Sequence, residues 1–105
     1  MSDTAALLAD PERLLALYRH GGNMELALQR EQMRDGTTPL TAAQVGEFNH
    51  LLRTARELLP KSVALREDVA EIGERGMNAA SAYRALRVTI LPALHNALPE
   101  GYADR

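Results

Sequence analysis

The stretch GERGMNAASAYRALR, Gly73–Arg87, decides how this chain is divided. Gly76 can be a corner at which one helix ends, with Asn78 capping the next. It can also be a soft point inside a single long helix. The series Leu65, Val69, Ile72, Gly76, Ala79, Tyr83, Leu86, Ile90, Ala93, Ala97 advances by three or four residues at every step, the spacing of one helix face. A straight helix over 62–98 would be about 55 Å long, against about 35 Å for a compact domain of this size. A kink near Gly76 or Pro92, or a second chain to bury the excess, must resolve the mismatch.

Upstream, the punctuation is helical. Asp10-Pro11-Glu12 combines a cap, a first-turn proline and an acid near the positive helix end, so a helix is expected over 11–20. Gly21-Gly22 then reads as its stop, and Asn23 as the cap of a second helix, 24–35, ended by Gly36. Thr41 and Gln44 form a capping-box pattern ahead of Val45, Phe48, Leu52, Ala55 and Leu59, which predicts a helix over 42–59. Pro60 closes it, and Ser62 opens a helix expected over 62–75, followed by one over 78–98.

The composition agrees. The chain has 105 residues, 46% hydrophobic but only 4% aromatic, and its apolar content is mostly Ala and Leu, which favours helix over strand. The expected fold is all-α, a small bundle of four to five helices in one domain spanning 1–105. Its long C-terminal helix is expected to kink near Gly76 and Pro92. A short extra turn is expected over 4–9, and lower order over 1–9 and 99–105.

Composition also bounds function. With no cysteine, the chain has no disulfide, no thiolate metal site and no cysteine nucleophile. Net charge is −2, so there is no global field to hold a polyanion or an acidic membrane. The opening MSDTAALLADPERLLALYRH has neither a cationic leader nor a continuous apolar run. No segment supplies the roughly 18–20 apolar residues of a membrane span, and a cytoplasmic location is expected.

Over residues 69–87, VAEIGERGMNAASAYRALR resembles the helix-turn-helix family, with a glycine corner at Gly76, an apolar turn residue Met77 and a capped second helix. The resemblance implies DNA binding, with Asn78, Ala80, Ser81 and Arg84 toward the major groove and Arg87 nearer a phosphate. The motif's buried positions before the corner fall on Arg75 and Glu71, and Glu67, Asp68, Glu71 and Glu74 bring negative charge close by.

Glu47 and His50 have the ExxH spacing of helical metal sites, but both fall off the Val45–Phe48–Leu52 stripe and should face water. His20 is expected in the last turn of the first helix, where an imidazolium suits the dipole, and His95 has no acidic or serine partner at a recognisable spacing. No nucleophile-elbow, phosphate-cradling or zinc-protease signature occurs. The expected function is therefore a non-enzymatic helical protein–protein interaction module without a cofactor or metal. It self-associates through the 65–97 seam, with Ile72, Gly76, Ala79, Tyr83, Leu86 and Ile90 at the interface. The alternative is a DNA-binding regulator using Asn78, Ser81, Arg84 and Arg87.

Overall fold

A computed structural model of the chain describes residues 10–102. The extra turn expected over 4–9 and the lower order expected over 1–9 and 103–105 lie outside the described residues. The fold is all-α. Among the described residues there is no strand, only an isolated antiparallel bridge between Pro39 and Asn78.

Helix α1, Pro11–Asp35, begins as expected, with the Asp10 carboxylate accepting from the Glu12 N–H at 2.9 Å. It does not stop at Gly21-Gly22. The two helices expected over 11–20 and 24–35 are one, and the reason is packing. A Cβ on Gly21 would lie 2.8 Å from Leu91 Cδ2 and 3.5 Å from Leu51 Cδ2, so this glycine lets α1 approach its neighbours closely within ordinary helical geometry. Asn23 is consequently a mid-helix residue, and His20 lies a turn and more from any helix end.

Helix α1 ends in a turn held by Asp35, whose carboxylate accepts from the Thr37 N–H at 3.0 Å and the Thr37 hydroxyl at 2.6 Å. These two hydrogen bonds to the charged form, the hydroxyl's first, hold the Asp35 carboxyl below its ordinary pKa. Helix α2, Ala42–Leu58, carries the expected capping box: Thr41 Oγ1 accepts from the Gln44 N–H at 3.1 Å, and the Thr41 N–H donates to Gln44 Oε1 at 2.8 Å.

The helix expected over 62–75 is not formed. A single π-helical turn, π1, spans Ala64–Asp68, and Val69 is already extended at φ −144°, ψ 147°. Side chains of α2 hold this segment in place. The Arg56 guanidinium donates to the carbonyls of Leu65 and Val69, both at 2.8 Å. Buried Asn49 serves both backbone groups of Ile72, accepting its N–H at 2.7 Å and donating to its carbonyl at 3.0 Å. Arg53 reaches Glu71 at 3.0 Å. Residues 49, 53 and 56 share one helix face, so α2 presents a polar ladder that competes with helical bonding in 65–72.

Gly76 is a corner, with φ +70°, and its N–H donates to the Gly73 carbonyl at 3.0 Å. Asn78 then caps α3, Ala79–Ala85, by accepting from the Ser81 N–H at 2.8 Å. The long helix expected through Gly76 is thus divided by the non-helical stretch 69–78. The turn after α1 docks on this start: the N–H groups of Ala79 and Ala80 donate to the Thr38 and Gly36 carbonyls at 2.8 and 3.0 Å. Two of the four donors that a helix start leaves without helical partners are satisfied in this way.

From Ala79 the chain stays helical through 97, but not uniformly. A second π turn, π2, spans Leu86–Ile90 and leads into α4, Leu91–Ala97, and the Leu91 N–H donates to the Leu86 carbonyl five residues back. The packing spacing gives the reason. Ala82, Leu86, Ile90 and Leu94 are all fully buried and follow one another by fours. In a regular α-helix such a series drifts by about 120° over twelve residues, whereas one inserted residue absorbs about 100° of it. The wider turn also precedes Pro92, whose ring would press on the Val88 carbonyl in an α-helix and whose nitrogen has no hydrogen to donate.

The core lies where α1 packs against α3, α4 and α2. It centres on Leu14, Leu28, Phe48, Leu51, Leu52, Leu65, Leu86, Ile90 and Leu94, each with almost no exposed surface.

Candidate interaction surface

The residues expected at a partner interface are engaged within the chain itself. Ile72, Ala79, Leu86 and Ile90 belong to its own hydrophobic core, and Leu86 and Ile90 have no exposed surface. Tyr83 is half-buried against that core, and its hydroxyl accepts from Arg87 at 3.1 Å. Gly76 is exposed at its corner. The 65–97 seam therefore does not present these residues as a joint surface, because α1 and α2 cover most of it. Spacing in a sequence reports which residues are buried, not which chain buries them.

The residues of the helix-turn-helix resemblance do share one end of a helix. Ser81, Arg84 and Arg87 are exposed along the 79–97 run, while Asn78 is half-buried with its side chain committed to the cap. The two-helix arrangement is absent, since 69–73, where the first helix should lie, is not helical. Asn49 and Arg56 of α2 hold that backbone in its other conformation.

Glu47 and His50 are both exposed, and among the described residues no group of three or more His, Cys, Asp or Glu side chains could hold a metal ion. His95 lies against Tyr18 of α1, ring centroids 5.6 Å apart and planes tilted by 50°.

What sequence reasoning missed is a cleft of about 1000 Å³. It lies between the start of α1, the turn after α2, and the π2–α4 run, with Leu59, Ala64, Val88 and Ala93 among its walls. Among the described residues, Asp10 and Lys61 are its only charged lining. Four of the chain's five prolines, Pro11, Pro60, Pro92 and Pro99, meet there. Proline has no N–H to donate, so the wall is both apolar and poor in backbone donors. Each proline had a local reading as a helix start, stop or kink. Nothing in their spacing along the chain signals that the fold would gather them.

Val88 stands 61% exposed at this cleft, where a buried seam residue would show almost no surface. A smaller cleft of about 310 Å³ between α1 and α2 has Met24, Leu28 and Phe48 in its floor and His20, Asn23 and Glu47 among its lining. On α1 itself, Leu26 and Met33 are exposed seven residues apart, 52% and 75% respectively. Among the described residues no helix is long and apolar enough to cross a membrane.

No protein-family model, no curated protein and no solved structure matches the chain.

Proposed function

We propose that this protein is a non-enzymatic helical interaction module whose binding surface is the cleft formed by the start of α1, the turn after α2 and α4. The observation that supports this reading is the cleft itself: about 1000 Å³, walled by apolar side chains and proline, with a single acid and a single base in its lining among the described residues. Clefts of this size and polarity are where proteins receive apolar ligands or the apolar face of a partner helix. The partner expected is a protein segment with an uncharged apolar stripe. Burying each large apolar side chain of such a segment contributes about 1.5–3 kcal/mol before the costs of association.

Self-association, expected from the sequence on the 65–97 seam, is carried over to this exposed surface, and a second copy is the first partner to test. Sedimentation of the protein over a wide concentration range reads it directly. The general test is selection from a display library of amphipathic peptides, repeated on Ala93→Arg, which places a charge in the cleft wall. Enriched peptides should carry uncharged apolar stripes and lose binding to Ala93→Arg. Peptides that bind both proteins equally, or no enrichment at all, would overturn the reading.

A further inference from the structure

His20 and Glu47, which stand on different helices, line one groove: the space of about 310 Å³ between α1 and α2. His50, the other half of the ExxH spacing, is not in its lining. The groove is layered by polarity. His20, Asn23 and Glu47 are exposed, whereas Met24, Leu28 and Phe48 in the floor are buried. An apolar floor with a few polar groups converging on it is the composition of a small-molecule site. A water molecule's share of liquid volume is about 30 Å³, so the groove has room for a ligand of about ten non-hydrogen atoms.

The polar groups set the kind of ligand. Glu47 supplies the only carboxylate in the lining among the described residues, and no lysine or arginine joins it there. A carboxylate accepts hydrogen bonds, the Asn23 amide oxygen accepts as well, and a neutral imidazole at His20 offers one more acceptor. A primary ammonium brings three donors, no acceptor and the opposite charge. We propose that this groove binds a small primary amine with an apolar body, its ammonium at Glu47 and Asn23 and its body on Met24, Leu28 and Phe48. No residue lines both this groove and the larger cleft, so the proposal stands or falls apart from the partner-binding reading.

The test is a nuclear magnetic resonance titration of the full-length chain with 2-phenylethylamine and, separately, with 2-phenylethanol, which has the same shape without the charge. The expected result is shifts at the amides of 20–28 and 44–48, with the amine bound at least about threefold more tightly than the alcohol, the scale of an exposed ion pair. Glu47→Gln, at an exposed position, should remove that preference while leaving the fold intact by circular dichroism. Ala27→Phe, which adds a ring to the groove wall, should abolish binding of both compounds. Equal affinity for the two compounds, a preference that survives Glu47→Gln, or shifts centred elsewhere in the molecule would overturn the proposal. So would no binding up to about 10 mM, the affinity that a ligand of this size reaches at low efficiency.

Discussion

Segments 65–72 and 79–97 carry the same signal in the sequence, apolar residues at steps of three and four, and they fold differently. Leu65, Val69 and Ile72 are buried, as are Ala79, Leu86 and Ile90. Yet the first set rides on one π turn and extended backbone, and the second on a continuous helical run. The difference lies in what faces each backbone. Segment 65–72 lies against Asn49, Arg53 and Arg56 of α2, which supply hydrogen bonds from outside the segment. The 79–97 run meets mainly apolar side chains and has to satisfy its backbone internally, which a helix does. Periodicity therefore reports burial, and the backbone conformation follows from where the polar partners are.

The largest expected effect tests the helical half. Leu86→Ala should lower the unfolding free energy by about 2–5 kcal/mol in a urea titration, because the side chain is fully buried and a cavity would remain. A cost below about 1 kcal/mol would mean that the run is not the centre of the core.

Asn49→Ala addresses the other half. It leaves the buried N–H and carbonyl of Ile72 without their partner, at about 1–3 kcal/mol for each stranded group. Hydrogen exchange should show lost protection at Ile72 and its neighbours while the amides of 79–97 keep theirs. Loss of protection in both regions together would show that α2 does not hold 65–72 as a separate unit. Arg56→Met, which keeps the length of the side chain but removes its donors, should weaken the same segment by about 1–2 kcal/mol, the lower figure if water replaces the lost bonds.

The two adjacent glycines of α1 offer a smaller comparison of the same kind. Gly22→Ala meets no atom within 4 Å, so it should stabilise the helix by about 0.5–1 kcal/mol. Gly21→Ala should forfeit that gain, because its Cβ would press on Leu91 Cδ2 at 2.8 Å. Thermal melts of the two variants that rose equally would contradict the close approach of α1 to α4.

The smallest effect expected is at Asp35, in the turn that docks on the start of α3. Its carboxyl is held below the ordinary value by Thr37, so its unfolded pKa of about 3.9 lies above the folded one. The stabilisation is fully present above the unfolded value and is lost as pH falls through the folded one. Stability measured from pH 6 down to about pH 2 should therefore fall slightly less in Thr37→Val, which removes the hydroxyl donor. Parallel curves would show that the turn does not depend on this contact.

Much of the local structure was legible beforehand. The caps at Asp10, Thr41 and Asn78 and the end of α2 before Pro60 follow from chemistry within a few residues, whereas Gly76 could be read either as a corner or as a soft point in one helix. The Gly21-Gly22 stop misled, because glycine serves close packing as well as positive φ, and only the neighbour decides between them. The partner interface assigned to Ile72, Leu86 and Ile90 misled for a related reason: a buried face does not announce whose side chains cover it. Even the π2 turn left a trace, the three successive steps of four from Ala82 to Leu94, but that trace is read only once those residues are known to share a face.

The sequence by itself determined the all-α class and the helix starts at Asp10, Thr41 and Asn78, because capping and proline geometry act over a turn or less. Tertiary structure alone decided three things: that α1 continues through its glycines, that 65–72 leaves the helix, and that four prolines from distant positions wall one cleft. Each depends on groups far apart in the chain. Asn49 reaches across 23 residues to Ile72, and no local pattern records the free energy of that contact.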